Sequence, residues 1–257
     1  DLVEKTLFSS SFADCKMGSQ SGFNATYWNT PDFSGNPVVE NLVTEPFRFC
    51  TSGATVFAPG VSLTNFSARY QSVFVPQQSG EVLFDFYSCG NVSLKVDGNE
   101  LKSFKSNHGG RRNIIKLKVE KGKSYPVQID FAYSMGDAQL NFDIGIKKEI
   151  DIQKTIDKVR DADVILFAGG ISPSLEGEEM GVNLPGFRGG DRTDIELPEV
   201  QRQLIQALKD AGKKIVFVNF SGSPIGLEPE MQNSEAIVQA WYPGQSGGKA
   251  VAEVLFG

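Results

Sequence analysis

The spacing of apolar residues changes near Asp151, and this change constrains the fold more than any other feature of the sequence. Before it, short runs alternate apolar and polar residues, which is the pattern of a β-strand with one buried face. Glycine, proline, asparagine or aspartate borders the runs, as expected for turns between antiparallel strands. Several such strands at close spacing predict an antiparallel β-sandwich. The runs cover residues 72–75, 81–87, 92–98, 114–122, 125–133 and 138–147.

After Asp151 the pattern becomes that of an α/β fold with a mainly parallel sheet. Ile152, Ile156 and Val159 have helical spacing, and another helix begins near Pro198. Three strands are few for such a sheet, so we expect a partial α/β sandwich that has been cut from a larger protein inside a domain. The predicted fold class is therefore two domains, all-β followed by α/β. Continuous apolar runs predict strands buried on both faces at 164–168, 215–220 and 236–241.

Composition excludes several classes of partner. The chain has 25 lysines and arginines against 31 aspartates and glutamates, and the net charge of −6 argues against a nucleic acid partner. It has no apolar run of the ~20 residues that a membrane helix needs, so we predict no membrane partner. Three cysteines and one histidine offer little material for a metal site. We therefore predict no metal, no cofactor, and at most one disulfide among Cys15, Cys50 and Cys89.

A long loop between a strand and a helix, residues 169–197, carries the candidate chemistry. It follows the carboxyl end of a buried strand, where open α/β sheets bind their ligands. Glu176, Glu178 and Glu179 lie close together in this loop, and Asp191-Arg192 follows. The glutamates are either solvent-exposed without a function, or one of them is a carboxylic acid positioned for proton transfer.

Four segments of the chain stand out: LEGEEM at 175–180, GGDR at 189–192, ELP at 196–198 with Gln201, and AWYPGQSGGKAVAEVLFG at 240–257. They resemble the C-terminal domain of glycoside hydrolase family 3, in the order in which that family has them. The resemblance implies that the full-length protein is a retaining exo-acting β-glycosidase, a β-xylosidase or β-glucosidase, whose substrate is a β-glycoside or oligosaccharide ending in xylose or glucose. It also implies a nucleophilic aspartate in a separate N-terminal barrel that this chain lacks.

The resemblance assigns roles to residues of the loop. Glu178 corresponds to the catalytic acid/base, and Glu176 and Glu179 are the alternatives because an insertion after them loosens the alignment. Asp191 and Arg192 either anchor the loop as an ion pair or bind the sugar. Retaining hydrolysis needs two carboxyl groups about 5–5.5 Å apart, of which this chain supplies at most one. We therefore expect the isolated chain to be inactive.

Residues 18–148 resemble the β-sandwich of bacterial protective antigen, which some members of the family carry as an insertion. The predicted domains are a leader at 1–17 that belongs to the α/β domain, the sandwich at 18–148, and the α/β domain at 149–257. Tyr87-Ser88-Cys89-Gly90 replaces the Asp-Asp pair of calcium-binding relatives, so we expect no calcium site. The resemblance rests on FNATYWN at 23–29, EVLFDFYS at 81–88, LKVDG at 94–98, and Gly122 with Tyr125-Pro126.

Several alternatives stay open. The chain is alternatively a stand-alone carbohydrate-binding module without a catalytic role, although the clustered glutamates favour the enzyme. Trp241 and Tyr242 follow a strand, where buried packing is favoured over stacking on a sugar ring. For the full-length protein, a periplasmic or secreted location is favoured over the cytoplasm. The sequence does not distinguish xylose from glucose.

Overall fold

The structure is a computed structural model that describes residues 3–176 and 182–257, except for the side chains of Asn107 and His108. The chain divides into two compact units. One unit comprises Asp1–Leu7 and Glu149–Gly257, and the other comprises Phe8–Lys148. The predicted domain boundaries after residues 17 and 148 stay predictions.

Antiparallel strands make up the first part of the chain, as the alternating sequence pattern predicts. In chain order they are β1 Thr6–Ser10, β2 Cys15–Met17, β3 Gln20–Ser21, β4 Phe23–Trp28, β5 Val39–Val43, β6 Phe47–Cys50, β7 Phe66–Phe74, β8 Gly80–Val96, β9 Asn99–Val119, β10 Tyr125–Tyr133 and β11 Gln139–Glu149. Within the described residues these strands join in one hydrogen-bonded sheet that curls around a core. The all-β prediction is confirmed, but the strands form a continuous curled sheet instead of two stacked ones.

The longest strands, β8 and β9, pair as a hairpin that the sequence predicts only in part. Asp97 and Gly98 at its turn have φ values of 51° and 77°, as a tight type I′ turn requires. The predicted strands 81–87 and 92–98 are one continuous strand in the structure. Residues 99–113, for which no strand was predicted, belong to β9. β-Bulges near Ser88 and Leu94 shift the pairing register of the two strands. The alternation of apolar and polar residues is therefore interrupted, and the sequence does not show the strands at full length.

Aromatic side chains fill the core inside the curled sheet. Phe23, Phe47 and Phe142 come from β4, β6 and β11 and are fully buried. Their ring centroids lie 5.4 Å (Phe23–Phe47), 5.7 Å (Phe23–Phe142) and 5.2 Å (Phe47–Phe142) apart. Tilted and edge-to-face pairs at such distances add to the free energy of burial.

The second part of the chain alternates helices and strands. In chain order they are α1 Ile152–Lys158, β12 Val164–Gly170, β13 Asn183–Leu184, β14 Phe187–Arg188, β15 Asp191–Arg192, α2 Glu199–Asp210, β16 Lys214–Phe220, α3 Glu228–Asn233, β17 Ala236–Gln239 and α4 Gly247–Phe256. β12, β16 and β17 form the predicted parallel sheet, in that order. β13, β14 and β15 form a small antiparallel sheet. These short strands and α3 were not predicted, because they are too short to show a period.

The two faces of the parallel sheet have different surroundings. One face packs against α1 and α2 through a cluster that includes Ile205 and Phe217. On the other face Val164 is 48% exposed and Leu166 is 46% exposed. The prediction that β12 is buried on both faces is therefore wrong for this chain, since the described helices that pack on β12 cover one face only.

The cysteines are free thiols in the structure, with Cys15 and Cys89 buried and Cys50 half-buried. Burial raises the pKa of the Cys15 thiol, and the nearby Asp14 carboxylate raises it further. Such a thiol is a poor nucleophile, because the thiolate is the reactive form. Within the described part of the chain, no helix combines the length and apolar character that crossing a membrane requires.

Candidate functional site

Loops that follow β12, β16 and β17 meet at one edge of the parallel sheet. Because these strands are parallel and adjacent, their carboxyl ends lie side by side. This edge is where open α/β sheets bind their ligands. Three side chains that touch there are Glu176 after β12, Ser223 after β16 and Tyr242 after β17.

The acidic loop begins at Gly170, whose backbone is held between α2 and β16. The side-chain amide of Gln201 donates to the Gly170 carbonyl and accepts from the Gly170 N–H, both at 2.8 Å. Gly170 has a φ of 120°, and a Cβ there would lie 2.0 Å from the carbonyl oxygen of Phe220. Glycine is therefore required both for the backbone conformation and for the close approach to β16.

Glu176 connects the acidic loop to the other two loops. Its Oε1 accepts a hydrogen bond from the Ser223 hydroxyl, and its Oε2 accepts one from the Tyr242 phenol at 2.6 Å. Hydrogen bonds to a carboxylate are stronger than those between neutral groups. Both carboxylate oxygens of Glu176 are thus engaged by residues distant in the sequence.

Tyr242 is positioned by the absence of a side chain at Gly222. A Cβ at Gly222 would lie 2.3 Å from a ring carbon of Tyr242, so the ring packs directly on the backbone. Partial burial raises the pKa of Tyr242 to about 12, helped by the hydrogen bond to Glu176 and opposed by the Gly222 backbone. The phenol therefore keeps its proton at neutral pH and remains a donor to Glu176.

A second set of amides fixes the start of the loop after β16. Asn219 Nδ2 donates to Gln239 Oε1 at 2.6 Å, which ties the ends of β16 and β17 together. Gln239 Nε2 and Asn219 Nδ2 both donate to Ser221 Oγ, at 3.1 and 3.2 Å. Ser221 is buried, so the backbone that leads to Gly222 and Ser223 is held in place.

Arg192 joins the β14–β15 hairpin to the same loop. Its Nη1 donates to the Pro224 carbonyl at 3.0 Å and lies 3.3 Å from Ser223 Oγ, while Nη2 donates to the Glu196 carbonyl at 2.7 Å. The guanidinium lies over the ring of Phe187, 5.9 Å from its centroid. Its Nε is buried and has no partner among the residues that the structure describes.

Asp191, the other half of the predicted Asp-Arg pair, is exposed on β15. Arg192 donates its hydrogen bonds to two carbonyl oxygens and lies close to one hydroxyl group. Asp191 lies on the solvent side of the hairpin. The predicted acid/base Glu178 and its alternative Glu179 fall in 177–181, outside the described residues. Glu176 is the one predicted candidate acid whose contacts the described structure gives.

The far end of the acidic loop is tied to α2 and α3 by ion pairs. Arg202 Nε lies 3.2 Å from Oε1 of the buried Glu230, and Arg202 Nη2 also pairs with Glu196. Removing one partner of a buried pair leaves an uncompensated charge and is strongly destabilising. The loop is therefore anchored where it begins, at Gly170, and where it ends, at Glu196.

Trp241 and Tyr242 are more exposed than the sequence suggested. Trp241 is 58% exposed, and Tyr242 is 39% exposed. The prediction that both are buried packing residues is therefore wrong. Trp241 also has a positive φ of 57°, which is a strained backbone conformation for a bulky residue.

The site contains residues that the sequence did not single out, above all Ser223. Serine and glycine after a buried strand are a weak signal, because they also occur in ordinary turns. Among the described residues, no group of three or more histidine, cysteine, aspartate or glutamate side chains is arranged to hold a metal ion.

Known proteins share this combination of folds. The chain superimposes on a crystal structure of the β-glucosidase from Kluyveromyces marxianus with a TM-score of 0.62 and 22% identity, over 97% of this chain and 31% of that one. The likeness establishes the fold of the chain. The family model described as "Glycosyl hydrolase family 3 C-terminal domain" matches residues 10–257 of the chain. The chain therefore belongs to this family, as the resemblance of its motifs indicated.

Two relatives show how much of such proteins the chain represents. It is 44% identical to a xylan 1,4-β-xylosidase of Xylanibacter ruminicola, over 93% of this chain and 28% of the relative. It is 29% identical to a β-glucosidase of Rhizobium radiobacter, over 77% of this chain and 25% of the relative. The chain thus spans less than a third of the length of these relatives.

Proposed function

We propose that the full-length protein is a retaining exo-acting β-glycosidase and that this chain supplies its acid/base loop. Three anchored loops at the carboxyl edge of the parallel sheet, with Glu176 between them, are the observation that carries the proposal. The names of the xylosidase and β-glucosidase relatives support a substrate with a terminal β-linked xylose or glucose. The nucleophile would come from the catalytic barrel, in the part of the protein outside this chain, because retaining hydrolysis needs a second carboxyl group.

We assign the acid/base role to Glu178. The contacts of Glu176 support this choice, because both of its oxygens already accept hydrogen bonds from Ser223 and Tyr242. A general acid needs a carboxyl oxygen that is free to reach the leaving group. Glu178 is two residues further along the sequence than Glu176, in the same acidic loop. Glu179 is the remaining alternative.

Arg192 acts as a loop anchor in this proposal. Its hydrogen bonds to the carbonyl oxygens of Pro224 and Glu196 hold the β14–β15 hairpin against the loop after β16. Asp191 is exposed on the same hairpin and is the better candidate for a polar contact with the sugar. A periplasmic or secreted location belongs to the same proposal, supported by a relative named periplasmic β-glucosidase from Salmonella typhimurium.

The isolated chain is expected to fold but not to hydrolyse nitrophenyl β-xyloside or β-glucoside, because one carboxyl group cannot perform both steps. Release of nitrophenol is compared with that of the full-length protein, after circular dichroism has verified that the isolated chain is folded. Turnover that survives repurification and disappears in Glu178→Gln would contradict the proposal. Sugar binding without hydrolysis by the full-length protein would favour the alternative of a carbohydrate-binding module.

A further inference from the structure

We propose that Glu176 is a positioning residue, which together with Tyr242 and Ser223 fixes the segment that carries the catalytic acid/base. The inference rests on the proposed function and adds to it a role for these three residues outside the acid/base step. Its basis is the arrangement of donors and acceptors around Glu176 at the carboxyl edge of the parallel sheet.

The hydrogen bonds around Glu176 form a chain with a consistent direction. Arg192 Nη1 lies within 3.3 Å of Ser223 Oγ and can only donate to it, so the Ser223 hydroxyl is left to donate to Glu176 Oε1. The Tyr242 phenol donates its proton to Glu176 Oε2 at 2.6 Å. Both hydroxyl groups of this network thus donate to Glu176, one to each of its carboxylate oxygens.

The donors of this network are rigid. Tyr242 has few rotatable bonds, and its ring lies against Gly222, where a Cβ would approach it to 2.3 Å. The backbone before Gly222 is fixed by the buried Ser221. Glu176 is thus held from two sides by elements that leave different strands, β16 and β17.

Rigidity at Glu176 matters because the acid/base follows it directly. Glu178 is two residues further along the chain, so the contacts of Glu176 fix one end of the segment that carries it. A displacement of about 1 Å at a reacting group can lower a rate by about 100-fold. The tether therefore contributes to catalysis without touching the substrate.

The test uses Tyr242→Phe in the full-length protein, with Tyr87→Phe as a control at an exposed tyrosine of the β-rich unit. We expect kcat/KM for the disaccharide substrate to fall by about 10- to 100-fold in Tyr242→Phe. For the dinitrophenyl glycoside, whose leaving group needs no protonation, it should change less than about 3-fold. Tyr87→Phe should match the wild type on both substrates.

Glu176→Gln should reproduce this pattern. The combined loss in the double variant with Tyr242→Phe should be smaller than the sum of the two single losses, because both substitutions weaken the same contact. Equal losses on both substrates, or no loss, would overturn the inference, as would azide rescue of Glu176→Ala, which would make Glu176 the acid/base itself. The proposed function fails separately, if the wild-type protein hydrolyses neither substrate.

Discussion

Replacing Glu178 with alanine in the full-length protein should lower kcat/KM for an oligosaccharide by about 10²- to 10⁴-fold. The leaving sugar is a poor leaving group and departs only when an acid protonates its oxygen. A dinitrophenyl glycoside needs no such help, so its kcat/KM should change little. Its kcat should nevertheless fall, since water then attacks the glycosyl-enzyme without a general base.

Azide distinguishes this defect from misfolding. As an anion it attacks the glycosyl-enzyme without a base, so it should raise kcat of Glu178→Ala and give a β-glycosyl azide, which chromatography detects. Glu179→Ala serves as the matched control and should retain most activity on both substrates. If Glu179→Ala shows azide rescue and Glu178→Ala does not, the acid/base is Glu179.

Gly170→Ala should destabilise the protein by about 3 kcal/mol or more, through backbone strain and overpacking together. The added Cβ would lie 2.0 Å from the Phe220 carbonyl oxygen and 2.8 Å from Asn219 Oδ1, at a φ of 120° that alanine rarely adopts. Both neighbours belong to β16, which cannot move without breaking the sheet. Urea unfolding of the purified protein measures the loss.

Gly189→Ala is the control for this substitution. Gly189 also has a positive φ, of 66°, but a Cβ there would meet no atom of the described residues within 4 Å. Its cost should therefore be near the ~1 kcal/mol of a left-handed backbone alone. Similar losses in both variants would show that the contact with β16 is unimportant.

The sequence predicts those parts of the fold whose residues show a local pattern, such as strict alternation or a characteristic turn. Residues 125–133 alternate without interruption, and the structure has β10 at Tyr125–Tyr133. Asp97-Gly98 predicts its turn because few residues tolerate the backbone that the turn requires. The polar stretch at 99–113 gives no such signal, since its pairing with β8 is decided by the partner strand.

The site is less predictable, for a physical reason. The glutamate cluster and Arg192 stand out in the sequence because charged residues in a long loop are conspicuous. Ser223 does not stand out, and the sequence gives no sign that Tyr242 contacts Glu176. Both contacts depend on which loops meet after folding, at separations from Glu176 of 47 and 66 residues. The exposure of Trp241 is likewise set by neighbours that a local pattern does not contain.

Asp1–Leu7 leaves the ribosome long before Glu149–Gly257, although both belong to one unit. Phe8–Lys148 is made in between and can complete its own core during synthesis. The Ile150 N–H then meets the Lys5 carbonyl, 2.9 Å away, across a loop that the folded β-rich unit has already closed. The entropic cost of closing a loop rises with its length, so this contact forms more easily once the β-rich unit has folded. A defect in the aromatic core around Phe47 would therefore delay the maturation of both units.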